Sequence, residues 1–423
     1  MGAIEYIQSF SRSGSPVRNL DRISSLMRAM GDPQDRLRFI HIAGTNGKGS
    51  MAQMFSEVLV RAGYKTGLFT SPYIIEFHDR IRFNNENISK AELEEVVTVL
   101  RSVVDVHPMK NSFSQFEITQ AAAFLWFLKK GCDVVVLEAG LGGLLDSTNI
   151  VTPLVSVIGS IGLDHTAVLG KTLPKIAYQK AGIIKSGIPC VLSPGAESGV
   201  LKVFEEQAEQ KGSELVVPYL EKISAQECSL SGSRFVYKGE EYRLSMPGEH
   251  QIRNAMSVIE ALRLIRNQLP VSKETIKEGL AVASVYGRVE TACKKPFIIL
   301  DGGHNPDAVK ALAETLSLAE GKIRAVIGMH DDKDAEAAVK LLSGQVKRFY
   351  PVSGFSDKDM PAEELAWHIG RAGGDVSLSS NDNIEELIAR LVREFPEDIL
   401  LVCGSLYLVS WFKEHINPDN LPV

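Results

Sequence analysis

The apolar run Phe39-Ile40-His41-Ile42 leads into Gly44-Thr45-Asn46-Gly47-Lys48-Gly49-Ser50 and then into a helical pattern. That order demands a strand, a glycine-rich turn and a helix N-terminus in succession. The first amides of a helix have no intrahelical partner and lie at the positive end of its dipole. Such a turn binds phosphate, and Lys48 adds a point charge for the β and γ oxygens of a nucleotide. The standard Walker form has a glycine five residues before Gly47, where this chain has Ile42, so the loop is a shorter variant. Glycine-rich turns also serve as plain connections. The lysine, the hydroxyl residues Thr45 and Ser50 and the strand-to-helix context favour a nucleotide loop formed by Thr45, Asn46, Gly47, Lys48, Gly49 and Ser50.

After the turn, Met51, Met54, Phe55, Val58, Leu59 and Ala62 recur at helical spacing, and Gly63 marks the stop. Strands are expected at 66–69, 133–137, 154–160 and 189–192, with helices between them, notably 118–129 and 173–184. This alternation predicts a mostly parallel sheet covered on both faces. Residues 213–246 read as a small antiparallel appendage with β-prone pieces at 215–217, 234–237 and 242–244, followed by a helix over 251–266. A second alternation, with strands at 297–300, 324–327, 348–352, 375–378 and 399–403, starts after a boundary segment holding Gly287, Pro296 and a Lys-Lys pair. The expected fold class is α/β. A P-loop-type ATPase domain with its appendage spans 1–288, and a smaller Rossmann-like α/β domain spans 289–423.

Two domains suit a chain of 423 residues, and 44% hydrophobic with 23% charged residues is ordinary for a soluble enzyme. A net charge of −6 gives no support for binding nucleic acid or membranes, so an anionic substrate must be held by local groups. Cys132, Cys190, Cys228, Cys293 and Cys403 are scattered and odd in number, which fits a reducing cytoplasm rather than a disulfide scaffold or zinc site. The N-terminus lacks a signal-peptide pattern, and the longest apolar run, 121–128, is too short to span a bilayer. A cytoplasmic enzyme is expected.

In open parallel sheets, functional groups gather at the carboxyl ends of strands. The strand at 134–137 ends in Glu138-Ala139-Gly140-Leu141-Gly142-Gly143, where the glutamate suits Mg²⁺ beside a triphosphate. Thr70-Ser71-Pro72 follows 66–69 and offers hydroxyl oxygens, although serine before proline is also a common turn. Asp164-His165 follows the next strand, and its position favours a ligand over a structural histidine. On residues alone, Lys180 reads as a solvated helix lysine. In the second half, Gly248-Glu249-His250-Gln251 opens a helix, and Gly287-Arg288 sits where an arginine reaches phosphate across a cleft. Asp301-Gly302-Gly303-His304-Asn305-Pro306 ends the first strand of the second domain. Two such domains suggest ATP on one and a second substrate on the other, against the plainer reading that these motifs are turns.

Taken in order, these motifs, with Lys180-Ala181-Gly182-Ile183, Asn254-Ala255 and Gly404-Ser405-Leu406-Tyr407, closely resemble the folylpolyglutamate synthase/dihydrofolate synthase family of the Mur ligase superfamily. The resemblance runs from about residue 20 nearly to the end. It implies an ADP-forming amide ligase that phosphorylates a carboxylate and lets the amine of L-glutamate displace the phosphate. It further implies ATP on Lys48 and the loop amides, with Asn254, Arg288 and Asp301 also contacting ATP. Two Mg²⁺ ions would be held by Ser71, Glu138, His165 and Lys180, the last as a carbamate formed with CO₂. His304 and Ser405 would serve the glutamate side. Arg80, Arg82, Phe116 and Glu117 would line the pterin site, and a monomer is the family default. Leu144, Gln179 and Gly303 depart from the family's usual arginine, glutamate and alanine.

A Mur ligase acting on a UDP-linked peptide is the closest alternative; it would carry a UDP-binding domain ahead of a loop that here begins at residue 44. A nonenzymatic nucleotide switch would not need the full set of Glu138, His165 and Lys180. Whether dihydropteroate, reduced folates or both accept glutamate stays open at this level, with the bifunctional reading preferred over folylpolyglutamate synthase alone.

Overall fold

The computed structural model describes residues 1–11, 19–378, 383–418 and 421. The chain forms two compact units, Met1–Ile223 with Arg253–Ala283, and Ser224–Ile252 with Ser284–Val423. The expected appendage therefore groups mainly with the second unit. Among the described residues, no helix is long and apolar enough to cross a membrane.

In the first unit, β1 (Phe39–Ala43), β2 (Thr66–Phe69), β3 (Ile81–Phe83), β4 (Glu86–Asn87), β5 (Val134–Glu138), β6 (Val155–Ile158), β7 (Cys190–Leu192) and β8 (Leu215–Val216) form one sheet. Its order is β4-β3-β2-β5-β1-β6-β7-β8. Strands β2, β5, β1, β6, β7 and β8 are parallel, and β3 and β4 add an antiparallel edge. Strands β1 and β5 are buried along their whole length, as their unbroken apolar runs require in a sheet covered on both faces. One core cluster joins β1, β2 and β5 to helices Ala3–Gln8, Asp21–Ala29, Lys90–Val104 and Gln115–Lys130. Another joins β6 and β7 to helices Leu173–Ala181 and Ser198–Lys211.

Residues 215–217 were expected in the antiparallel appendage. Leu215 and Val216 form β8 instead, which pairs in parallel with β7. The preceding helix makes this a crossover connection, a rule of topology that a two-residue strand cannot reveal by periodicity.

The second unit holds a three-stranded sheet, β11-β10-β9, formed from β9 (Ile223–Ser229), β10 (Gly232–Tyr237) and β11 (Glu240–Leu244). Lys238 and Gly239, both at positive φ, turn the β10–β11 hairpin. Its larger sheet comprises β12 (Glu290–Lys294), β13 (Phe297–Asp301), β14 (Ile323–Ile327), β15 (Val346–Pro351) and β16 (Ile399–Cys403), in the order β12-β13-β16-β14-β15. All pairs except β12–β13 are parallel. The strand expected at 375–378 is reduced to an isolated bridge between Val376 and Phe349. Asp375 O accepts from Phe349 N and Ser377 N donates to Phe349 O, after which the segment runs out of the described residues.

Candidate active site

Strand β1 delivers the chain to Gly44 at φ +149°, and Gly47 caps the helix Lys48–Arg61 at φ +86°. Both angles are ones that side-chain-bearing residues avoid. The loop is clamped to the segment after β6. Thr45 N donates to Ser160 O at 2.8 Å, and the Thr45 hydroxyl lies 3.1 Å from both Gly162 N and Gly162 O. A Cβ on Gly47 would lie 2.5 Å from the Asn254 Oδ1, so the buried Asn254 rests directly on the turn. Lys48 Nζ donates to the carbonyls of Gly44 at 3.1 Å and Thr45 at 3.2 Å.

Lys180 is not the solvated helix lysine that its residue type and spacing suggest. It is 4% exposed, and its Nζ donates to Gly44 O at 2.7 Å. Helix Leu173–Ala181 turns this face toward the sheet, with Ile176, Ala177 and Ala181 buried beside it. A lone lysine among apolar residues carries no periodic signal of its own, which is why the residues alone misplace it. Burial, reinforced by the charge of Lys48, lowers its ammonium to about 7.

Glu138, 3% exposed, ends β5 and accepts from Ser71 N at 3.3 Å. The position of a Cβ on Gly49 is 3.8 Å from Glu138 Oε2, which places the carboxylate over the helix start. Glu138, Ser71 and the phosphate loop thus come together. His165 stands at φ +47° before the short helix Thr166–Leu169, its side chain 54% exposed and its amide bonded to Asp164 Oδ1. Among the described residues, no group of three or more His, Cys, Asp or Glu side chains forms a ready metal cage. Glu138 nonetheless fits a hard cation, because a buried carboxylate beside a helix start offers oxygen ligands where phosphate would lie.

The loop after Glu138 depends on residues outside the sequence motifs. Buried Asp146 accepts from Leu141 N at 2.7 Å, from Thr148 N at 3.0 Å and from the Thr148 hydroxyl at 2.5 Å. Thr148 Oγ1 in turn lies 2.9 Å from His41 Nε2 on β1. A signal for this was present, since aspartate two residues before threonine after a glycine pair is an Asx-turn composition. Leu144 and Gln179, two departures from the family pattern, meet here: Leu144 N donates to Gln179 O at 2.6 Å.

Arg80 lies over three rings, 5.9 Å from Tyr73, 5.7 Å from Phe77 and 6.0 Å from Phe116. Phe116 itself covers Gly140, where a Cβ would come within 2.7 Å of the ring. Arg82 donates to Gln53 Oε1 at 2.8 Å. Glu117 is different. Its Oε1 accepts from Arg22 at 2.7 Å and its Oε2 from Ser114 N and Oγ, so the buried carboxylate braces a helix start.

In the second unit, β13 and β16 lie side by side with Asp301 opposite Cys403, and both end in candidate residues. Asp301 accepts from Val289 N at 2.9 Å and Gly303 N at 2.8 Å. Burial raises its carboxyl, against the pull of Arg288 and the two amides. His304 Nδ1 lies 3.2 Å from Gly302 O, and Ser405 caps the helix Leu406–His415 by accepting from Tyr407 N at 3.1 Å. A Cβ on Gly302 would clash with the Leu406 side chain, so the loops bearing His304 and Ser405 are packed together.

Residues 42–262 match the Mur ligase middle domain and 287–406 the Mur ligase glutamate ligase domain. A dihydrofolate synthase/folylpolyglutamate synthase of Bacillus subtilis is 35% identical over 94% of this chain and 94% of its own length. The folylpolyglutamate synthase structure from Thermotoga maritima superposes with a TM-score of 0.84 at 32% identity, covering 99% of this chain and 97% of that one. An Escherichia coli relative solved in complex with DHPP and ADP gives a TM-score of 0.84 at 27% identity over 98% and 97% of the two chains. The chain belongs to the Mur ligase family, within its folylpolyglutamate synthase/dihydrofolate synthase branch.

Proposed function

We propose that this Mur ligase is an ATP-dependent, ADP-forming enzyme that joins L-glutamate to folates and to dihydropteroate. The observation that carries the reading is the convergence of Lys48 and Lys180 on Gly44 O in a loop overlooked by Glu138. The bifunctional name of the B. subtilis relative supports both acceptors, and the ADP of the E. coli complex supports the nucleotide.

A carboxylate is a poor electrophile. In the proposed reaction, the γ-phosphoryl group passes from ATP to the carboxylate of the pterin substrate, and ADP leaves. The glutamate amine then attacks the acyl phosphate, the C–O bond breaks, and phosphate departs as the amine loses its proton. The amides of residues 45–50 and Lys48 hold the transferring phosphate, and Asn254, Arg288 and Asp301 hold the rest of the nucleotide. Mg²⁺, bound through Glu138, Ser71 and His165, would neutralise charge on the phosphates. Lys180 would complete that donor set as a carbamate. An ammonium would repel cations, whereas a group held near neutrality can lose its proton, attack CO₂ and become an anionic oxygen ligand. Arg80, Arg82 and Phe116 serve the pterin side, with Glu117 supporting the segment. His304 and Ser405 serve glutamate. We place the enzyme in the cytoplasm as a monomer.

ADP release with dihydropteroate and tetrahydrofolate separately, each with and without L-glutamate, tests the proposal. Release stimulated by both acceptors is expected. Stimulation by one alone would remove the bifunctional reading, and by neither would remove the activity.

A further inference from the structure

Arg288 sits in a turn that its own sequence disfavours. Val289 has φ +48°, a left-handed conformation that a β-branched side chain resists, and Gly287 before it has φ +64°. Something outside the turn must hold it there. Gly287 O accepts from Gly302 N at 2.9 Å, and Val289 N donates to Asp301. Val289 is also buried in the core of this unit, and a charged restraint comes from Glu290, whose Oε2 accepts from Gly287 N at 2.8 Å.

Glu290 is itself pinned. Lys413, on the helix Leu406–His415, donates to Glu290 Oε1 at 2.6 Å with side-chain exposures of 18% and 19%. The same ammonium lies 4.0 Å from the centre of the Tyr286 ring, so it grips the turn at both ends. The two oxygens of Glu290 thus divide their roles, one fixing the Gly287 amide while the other is anchored by Lys413.

We propose that Glu290 and Lys413 are positioning residues for Arg288, a charged strut that holds the flanking Gly287 and Val289 at their left-handed φ and so aims the guanidinium. The inference rests on the nucleotide-binding role proposed for Arg288. Loss of a charge-assisted strut lets the turn relax and costs alignment of the guanidinium rather than the fold.

The test is the KM for ATP in Glu290→Gln, Lys413→Met and Lys413→Arg enzymes, each in the native and the Arg288→Ala background, with thermal midpoints recorded. Glu290→Gln and Lys413→Met should raise the KM about tenfold, the size expected from a modest misalignment. Lys413→Arg should restore much of the loss, because it keeps the charge. In the Arg288→Ala background the strut variants should add nothing further. Equal KM increases in both backgrounds would overturn the strut. So would an unchanged KM in the strut variants when Arg288→Ala alone raises it. An unchanged KM in Arg288→Ala itself would remove the role of Arg288, and the strut with it. A fall in thermal midpoint with no KM change would leave a structural ion pair only.

Discussion

Lys48 and Lys180 donate to the same oxygen, the Gly44 carbonyl, from 3.1 and 2.7 Å. Two ammonium groups on one acceptor repel each other, and the buried one yields. Lys180 falls to about 7 because of burial first and Lys48 second. Its folded value lies below the ordinary lysine value, so the uncharged amine that reacts with CO₂ is well populated from about pH 7 upward. Lys180→Ala should lower ADP release by about 100-fold or more, the scale of losing one charge-stabilising group. Lys180→Arg should fare no better, since a guanidinium stays charged. Carbon-13 NMR in labelled bicarbonate should show a carbamate signal in the native enzyme and none in Lys180→Ala. Full turnover in the alanine variant would dispose of the carbamate.

Gly47→Ala should lower kcat/KM for ATP by at least about tenfold. The new Cβ meets Asn254 Oδ1 at 2.5 Å, and the left-handed φ adds strain. The two contributions separate when Gly47→Ala is made in the Asn254→Ala background, where the further loss it causes should be smaller than in the native enzyme. Steady-state kinetics at varied ATP decide this; an unimpaired single variant would mean that the turn does not cradle phosphate.

His41 gives a pH signature. Burial, with help from Lys185, lowers its imidazolium to about 3, and its Nδ1 has no hydrogen-bond partner among the described residues. The unfolded chain takes up a proton below about pH 6.5 while the folded one does not. Stability therefore falls with pH across the interval from about 6.5 to 3, and is unaffected by this group above it. At pH 5 the loss is about 2 kcal/mol. His41→Gln keeps a donor for Thr148 without the titration, so its denaturation midpoint should fall less between pH 7 and 5 than the native one. Parallel curves would contradict the neutral, buried histidine.

Glu117 should report on stability rather than substrate. Glu117→Gln removes the carboxylate charge from the buried pair that it forms with Arg22 at 2.7 Å, at a cost of about 3 kcal/mol. Chemical denaturation should show that loss while the KM for the pterin substrate stays unchanged. A raised KM at constant stability would return Glu117 to the pterin site.

Gly303→Ala tests a departure from the family's usual alanine. The added Cβ would lie 2.7 Å from Asp301 Oδ1. That oxygen cannot swing aside, because the two oxygens of Asp301 each accept a backbone amide. We expect the clash to outweigh the entropy gained in the unfolded chain, for a net loss of about 1 kcal/mol. A higher melting temperature would show that the carboxylate yields.

Much of the site was legible because its parts are local. The glycine turn, Glu138 and the Asp301–His304 loop each follow an apolar run directly, so strand-end logic finds them. Lys180 was legible only through family resemblance, since its burial is set by packing against β-strands far away in sequence. The same distance hid His41–Thr148–Asp146 and Glu290–Lys413, which join residues separated by 107 and 123 positions in their longest links. The short strand at 215–216 was β-prone by composition, but its place in the sheet was hidden for another reason. The pair at 215–216 is too short for any period, and its partner is chosen by the crossover rather than by its side chains.

The register that sets Ile42 opposite Glu138 has a consequence for how such a chain diverges. The carboxylate and the phosphate loop leave adjacent parallel strands at the same level, so their separation is dictated by main-chain spacing of about 4.8 Å. The interior can be repacked over long evolutionary times, as 35% identity to a full-length relative implies, while the reacting groups keep their spacing. Drift in the core is thereby insulated from the chemistry at its rim.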